Sequence, residues 1–183
     1  MAQTTPDPTD STVAESSTRQ RILAATAEVL CRNGMTNLSM SEVAHQAGVS
    51  RPTLYRWFAS KAELMDTFGV WERHTYDRGM GEAIAGLTRE EKLDAALRFI
   101  VEYQQSYPGV RMVDLEPGHV IGQMSQVIPI MRERLQRLLP GPKGAIGAAA
   151  VIRVAVAHYI VPGDDADDFL AQLRHAAEIG PLP

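Results

Sequence analysis

The spacing of apolar residues is helical from the first patterned segment of the chain onward. In residues 17–33, Ile22, Ala25 and Val29 recur three and four positions apart, which places them on one face of a helix. Gly34 follows as a residue that tolerates the left-handed conformation in which helices commonly end. No segment shows the strict alternation of apolar and polar residues that is typical of a strand. The pattern therefore predicts an all-α chain.

Helix start signals divide the N-terminal half into segments. A Ser or Thr that is followed three residues later by Glu or Gln can form a capping box, in which each side chain hydrogen-bonds a backbone N–H group of the other residue. Four such pairs precede helical patterns: Ser17/Gln20, Ser39/Glu42, Ser60/Glu63 and Thr88/Glu91. The helices that they predict cover residues 17–33, 40–47, 60–80 and 88–107, with a short helix ending near Phe58 between the second and third.

The C-terminal half predicts further helices. Two are expected within residues 112–139, separated near Pro129, because a proline ring does not fit into an uninterrupted helix interior. In the segment Gly144–Val161, nearly every face of a helix would be apolar, so a helix buried in protein is predicted. A last helix is expected to begin at Asp164 or Asp165, whose side chains can cap it.

Charge is divided unevenly along the chain, whose formal net charge is −4. Residues 1–16 carry a net charge of −3 and are rich in Thr, Pro, Asp and Ser, so we expect a disordered tail there. Residues 17–63 carry six basic and three acidic side chains, a net charge of +3. A positive segment of this size is also ordinary for a solvated surface, so charge alone does not predict a nucleic-acid partner.

Residues 41–58 have the pattern of a helix-turn-helix, two short helices joined by residues 47–50. Helical spacing turns Leu54 and Phe58 of the second of these helices inward. The opposite face is cationic and carries an aromatic ring, which suits a helix that enters the major groove of DNA and pairs arginine with guanine. The residues on that face are Arg51, Pro52, Tyr55 and Arg56.

The run from Val43 to Leu64 resembles the N-terminal domain of TetR-family repressors. It reads Val-Ala-x-x-Ala-Gly-Val-Ser-x-x-Thr-Leu-Tyr-x-x-Phe-x-x-Lys-x-x-Leu, and the resemblance covers about residues 17–65. It implies an Ω-shaped helical homodimer with a three-helix DNA-binding domain at 17–63 and a ligand-binding and dimerisation domain at 64–183. Implied base contacts come from Arg51, Pro52, Thr53 and Arg56, and implied phosphate contacts come from Ser50, Tyr55 and Lys61.

Two further expectations concern residues around this motif and in the second domain. The turn before the second helix is another predicted phosphate-binding position, formed by Thr36, Ser39 and Met40. The helices that enclose a cavity in a TetR-like fold carry aromatic residues, methionines and a histidine, which predict a small apolar effector but also fit plain core packing. These ligand-binding candidates are Trp71, Phe99, Tyr103, Tyr107, His119, Met124 and Met131.

The two last helices predict a dimer interface. One small domain has difficulty covering both the apolar Gly144–Val161 segment and the apolar stripe of the following helix, so a four-helix contact with a second copy is expected. The interface candidates are Gly144, Ala148, Ile152, Val156, Phe169 and Leu173.

Other functions are not predicted. No phosphate loop or nucleophile elbow is present, and the single cysteine, Cys31, has no obvious base, so we expect no enzyme. The aspartates after His158 are explained as helix caps, so neither a metal nor a cofactor is expected. Arg153 in the middle of the apolar segment opposes membrane insertion, and the start lacks a signal peptide, so the cytoplasm is the expected location.

The sequence therefore leaves two hypotheses. One is a homodimeric repressor that binds double-stranded, palindromic operator DNA and is released by a small apolar ligand. The other is a DNA-binding regulator without an inducer, whose C-terminal domain serves only dimerisation or protein partners.

Overall fold

The computed structural model describes residues 8–107, 112–139, 141 and 144–178, and within these ranges it is helical without strands. The prediction of an all-α fold is confirmed. Contacts divide the chain after Arg73 into two compact units. The helices are α1 Pro8–Asn37, α2 Met40–Gln46, α3 Arg51–Trp57, α4 Lys61–Ala83, α5 Arg89–Ser106, α6 Met112–Leu115, α7 Pro117–Leu138, α8 Gly144–Ile160 and α9 Ala166–Ala176.

Helix α1 begins earlier than the capping signal at Ser17 predicted. It starts at Pro8 and includes residues 8–16, which the sequence analysis assigned to a disordered tail. No glycine or proline interrupts the chain between Pro8 and Gly34, so nothing stops the helix from extending toward the N-terminus. Residues 1–7 of the predicted tail lie outside the described residues. At Gly34 the backbone leaves helical geometry, with φ 75° and ψ 171°, as the sequence predicted.

The hydroxyl caps of the remaining pairs are confirmed, and the reciprocal bond of a complete capping box forms at Thr88/Glu91. Ser39 accepts a hydrogen bond from the N–H of Glu42, and Thr88 forms a complete capping box with Glu91. Asp165 caps α9 through the N–H of Asp168. At the start of α4, the Ser60 hydroxyl accepts from the N–H of Glu63 at 3.2 Å, and the Glu63 carboxylate accepts from the N–H of Ala59 at 2.8 Å.

The first unit packs α1 against the two short helices that follow it. Its core consists of fully buried aliphatic and aromatic side chains, including Ile22, Val29, Val43, Leu54 and Phe58. Burying a side chain of this size stabilises a fold by about 1.5–3 kcal/mol, which offsets the low intrinsic stability of seven-residue helices. This core fixes which faces of α2 and α3 remain outside.

The second unit packs α5, α7, α8 and α9 around a core that includes Leu97, Leu135, Val151 and Phe169. A buried charge ties two of these helices together. Asp94 of α5 is 3% exposed and accepts hydrogen bonds from Nε of Arg174 in α9 at 2.7 Å and Nε of Arg98 at 2.8 Å. Burial raises the pKa of Asp94, but the hydrogen bonds and charges of the two guanidinium groups outweigh it, so this pKa lies below its ordinary value.

The predicted helix break near Pro129 is wrong. Pro129 lies inside α7, which continues from Pro117 to Leu138, and the actual break separates this helix from the short α6 before it. Ile128 and Met131 on either side of Pro129 pack against the core, so tertiary contacts hold the helix across a missing hydrogen bond. Across the described ranges, no helix is both long and apolar enough to cross a membrane.

Candidate nucleic-acid interface and apolar cavity

The turn between α2 and α3 is fixed by a glycine and by an arginine from α1. Gly48 has φ 62°, a left-handed conformation that disfavours residues with a Cβ atom. The Arg21 guanidinium donates from Nη2 to the carbonyl oxygen of Ala47 at 3.0 Å and, more weakly, to that of Gly48 at 3.4 Å. Arg21 therefore holds the carbonyls of the turn and sets where α3 begins relative to α1.

Helix α3 presents the face that the sequence predicted. The Ser50 hydroxyl caps it by accepting from the N–H of Thr53 at 3.2 Å. Leu54 and Phe58 are buried, whereas Arg51, Pro52, Tyr55 and Arg56 are exposed, with Tyr55 at 50%. Arg51 and Arg56 make no ion pair within the part of the chain that the structure describes. Their guanidinium groups thus extend from a rigid helix with their donors available.

Lys61 has a structural role that the sequence analysis did not predict. Its Nζ donates to the carbonyl oxygens of Met35 at 2.6 Å and Thr36 at 3.2 Å, in the segment between the Gly34 kink and α2. An ammonium group has three donors, so one remains for the phosphate contact that the sequence predicted. Lys61 therefore connects the start of α4 to the same segment that holds Thr36.

The segment before α2 is a weaker candidate for phosphate contact than α3. The Ser39 hydroxyl donates to the Glu42 carboxylate at 2.7 Å while accepting from its N–H, so both functions of this hydroxyl are used. Hydrogen bonds from Ser39 and Asn33 lower the pKa of Glu42, which keeps a negative charge beside Ser39. Thr36 is exposed and Met40 is half-buried. The phosphate contact of these residues remains a prediction.

The second unit contains a cavity of about 400 Å³ formed by α4, α5, α7 and α8. Its lining is mainly aliphatic and includes Met80, Ile84, Ile100, Met131 and Leu138. Ligand pockets in proteins commonly occupy about 300–1,000 Å³ and are predominantly apolar, so the volume and lining suit a small molecule.

Of the seven predicted ligand residues, Met131 is the one that lines this cavity. Phe99, Tyr103 and Tyr107 instead belong to an aromatic cluster with Tyr76, in which neighbouring ring centroids lie 4.8–5.9 Å apart. These rings use one another as packing partners, which is the core-packing alternative that the sequence left open.

The other three ligand candidates lie elsewhere. In the first unit, the Trp71 ring packs on Phe68 at a centroid distance of 5.9 Å. His119 lies 3.4 Å from the Gln123 side-chain nitrogen on α7, and Met124 is half-buried on the same helix. Helical spacing predicts that these positions lie on the inward side of their helices, but it does not indicate whether their side chains line the cavity.

One wall of the cavity is charged. Asp77 of α4 and Arg134 of α7 form a two-point ion pair, with Nη2 of Arg134 at 2.9 Å from Oδ2 of Asp77 and Nη1 bonded to Oδ1. Arg137, one turn further along α7, pairs with Glu133 at 2.6 Å. Beside Asp77, burial raises the pKa of Tyr76 to about 12, so its hydroxyl stays neutral. No local pattern predicts these charged residues at a site, although Met131, Arg134, Leu135 and Leu138 have helical spacing.

The predicted dimer contacts remain a prediction, and most of these side chains already have partners within one chain. Gly144, Ala148, Ile152, Phe169 and Leu173 are buried within the core of a single chain, and Val156 packs against that core. The apolar stripes of α8 and α9 meet each other and α5, so these side chains have a partner within the chain. Apolar side chains that remain exposed at the ends of this region are Ile146 at 72% and Val161 at 74%.

Comparison with known proteins identifies the helix-turn-helix. Residues 22–67 match the family model described as bacterial regulatory proteins, tetR family. The HTH-type transcriptional activator FasR of Mycolicibacterium smegmatis is 32% identical over 99 residues, which are 52% of this chain and 44% of FasR. The chain spans about half the length of the curated relatives that it matches. The names of these relatives are those of transcriptional regulators.

Solved structures extend the likeness beyond the matched segment at the level of the fold. A TetR-like regulator from Rhodococcus sp. RHA1 superposes with a TM-score of 0.68 at 20% identity, covering 88% of this chain and 93% of that one. A TetR regulator from Haloarcula marismortui gives 0.71 at 14% identity, covering 89% and 96%. The residues that match the family model are those that build α2, α3 and their support on α1, so this part of the chain is similar to the DNA-binding segment of the tetR family of bacterial regulatory proteins.

Proposed function

We propose that this protein is a homodimeric transcriptional regulator that binds a palindromic operator through α3 and responds to a small apolar effector in the second unit. The observation that carries the DNA-binding part is the outer face of α3. Arg51 and Arg56 are exposed, free of ion pairs within the described residues, and fixed by the Ser50 cap and the buried Leu54. Arginine on such a helix can bind guanine by two hydrogen bonds in the major groove.

An operator can be selected from random-sequence DNA, and its binding measured by fluorescence anisotropy at fixed salt. Arg51→Ala and Arg56→Ala are each expected to weaken binding by about 1–3 kcal/mol and to relax the preference at one position of each half-site. Arg89→Ala removes the same charge from an exposed position of the second unit and is the matched control. Wild-type affinity and preference in both α3 variants would show that α3 does not read the bases.

The homodimer is supported by the need for two recognition helices and by apolar side chains left exposed on α8 and beyond. Two-fold symmetry sets recognition helices about 34–36 Å apart, which matches half-sites one turn of DNA apart. Ile146, exposed at 72%, is our candidate contact in place of the buried residues that the sequence indicated. Ile146→Asp is expected to yield monomers by light scattering and to weaken operator binding. A wild-type monomer at micromolar concentration with full operator affinity contradicts the dimer.

The apolar effector is supported by the cavity between α4, α5, α7 and α8. We propose that the protein represses transcription and that the effector releases it, whereas the name of FasR as an activator points to the opposite sign for that relative. A reporter gene placed behind the selected operator distinguishes the two signs. The alternative without an effector predicts that no small apolar compound raises the melting temperature, because stabilisation by mass action requires binding to the native state.

A further inference from the structure

The charged residues that line the cavity are unequal in number. Asp77 contributes one negative charge, and Arg134 and Arg137 contribute two positive charges from successive turns of α7. The rest of the lining is apolar except for the neutral Tyr76 hydroxyl. The Glu133 carboxylate that neutralises Arg137 is not among the lining residues, so the charged groups that face the cavity favour an anionic group over a neutral or cationic one.

Arg134 and Arg137 are in ion pairs whose carboxylate a ligand can replace. The side chains of Arg134 and Asp77 are 48% and 38% exposed, and those of Arg137 and Glu133 are 70% and 68% exposed. Ion pairs with this much solvent contact contribute little to stability, so replacing their carboxylate by that of a ligand has a small cost. A guanidinium group binds a carboxylate through two parallel hydrogen bonds, and Arg134 already binds one in this way.

The aliphatic part of the cavity has room for the body of such a ligand. At Gly81, on the lining of α4, an added Cβ atom would meet no atom within 4 Å, so open space lies above this residue. Met80 of α4, Ile84 directly after α4 and Ile100 of α5 supply apolar surface. Gly81 itself is exposed, so an apolar chain placed here is shielded from water on the side of these residues while a charged end reaches the arginines.

We propose that the effector is an apolar carboxylic acid whose carboxylate binds Arg134 and Arg137 and competes with Asp77 for Arg134. This inference rests on the proposed role of the cavity as an effector site. Displacement of Asp77 breaks the ion pair between α4 and α7, so occupancy of the cavity changes how α4 is held in the second unit. The ligand exchange is ionic and forms no covalent bond.

Three probes with the same ten-carbon chain test the ligand class: decanoate, 1-decanol and decylammonium. Isothermal titration calorimetry with the full chain is expected to rank decanoate first, about threefold to fivefold tighter than 1-decanol, since an ion pair with this much solvent contact adds at most a factor of about five. Equal or tighter binding of 1-decanol or decylammonium overturns the proposal, and so does the absence of decanoate binding.

Variants assign the effect to the named residues. Arg134→Gln is expected to lower decanoate affinity about threefold to fivefold and to leave 1-decanol affinity unchanged, whereas Asp77→Asn is expected to raise decanoate affinity by removing its competitor. Arg132→Gln removes an exposed charge from the same helix and is the matched control. Unchanged decanoate affinity in Arg134→Gln overturns the proposal, provided that its circular dichroism melting curve shows a folded protein.

Blocking the space gives a test that is independent of charge. Gly81→Leu fills open space without a steric clash at Cβ and is expected to abolish binding of decanoate and 1-decanol together. Tight decanoate binding by this variant places the ligand elsewhere and overturns the proposal. Operator binding by the wild-type protein distinguishes failure of this proposal from failure of the proposed function. A protein that binds its operator but not decanoate refutes the ligand class and leaves the DNA-binding function in place.

Discussion

Replacement of Asp94 by Asn is expected to destabilise the second unit more than any surface charge change. The Asp94 side chain is 5% exposed and bonds Arg174, which is 18% exposed, and Arg98, which is 52% exposed. Removing one partner of a buried ion pair costs about 3–5 kcal/mol, because the other charge stays buried. Arg98 can return to water and an asparagine oxygen still accepts one hydrogen bond, so we expect a cost below this range, about 2–3 kcal/mol.

Thermal and urea unfolding at pH 7 measure this effect. In a chain of this size the expected loss lowers the Tm by about 4–12 °C. Glu102→Gln, an exposed carboxylate on the same helix, should change stability by less than about 0.5 kcal/mol. An Asp94→Asn protein as stable as this control would refute the view that the buried carboxylate holds α5 and α9 together.

The pH dependence of the same comparison follows from the direction of the pKa shift. The folded-state pKa of Asp94 lies below its unfolded value, so its contribution is complete above the unfolded pKa, about 3.9, and disappears as the pH falls through the folded pKa. The difference in stability between the wild type and Asp94→Asn should therefore be constant from pH 7 to 5 and shrink only in stronger acid. A difference that already vanishes near pH 6 contradicts this assignment.

Three further substitutions probe particular backbone features. Arg21→Met should weaken operator binding severalfold, corresponding to about 1 kcal/mol, because the turn carbonyls of Ala47 and Gly48 lose their donor. Gln20→Met, at the neighbouring exposed position, should leave operator binding unchanged, and anisotropy titrations compare the two variants. Gly48→Ala should lower the free energy of unfolding by about 1 kcal/mol in urea, since φ is 62° there, and equal stability would mean that the turn adapts. Pro129→Ala should raise the free energy of unfolding by about 1–2 kcal/mol, because the alanine N–H restores the hydrogen bond to the Ser125 carbonyl. A decrease in the free energy of unfolding would contradict the unbroken α7.

The features that could be predicted from sequence are those in which cause and effect lie within a few residues. A capping side chain and the N–H that it accepts from are three positions apart, and Gly48 determines its own backbone conformation, so Ser39, Thr88 and Asp165 act as predicted. The exposed face of α3 follows from helical spacing alone. These local signals suffice for the all-α fold and the helix-turn-helix.

The errors share one physical origin, which is packing between residues far apart in sequence. Pro129 weakens a helix locally, but side chains on both sides of it are held by other helices. The stripe that contains Phe169 and Leu173 correctly predicted burial, whereas only the tertiary structure shows that the burial is within one chain. Asp77 and Arg134 are 57 positions apart, so no local pattern indicates that they meet.

Burial separates two arrangements of arginine and aspartate that look alike in the second unit. Around Asp94 the carboxylate is withdrawn from water and both its oxygens are bonded, so loss of Asp94 leaves the mostly buried Arg174 with little solvent to compensate for it. Around Asp77 both side chains keep more than a third of their surface in water, so the pair can open and a second anion can enter. The same chemistry therefore serves as a fixed connection between α5 and α9 and as an exchangeable one between α4 and α7. Under the proposed ligand class, a carboxylate ligand can replace Asp77 at Arg134 without disturbing the bonds of Asp94.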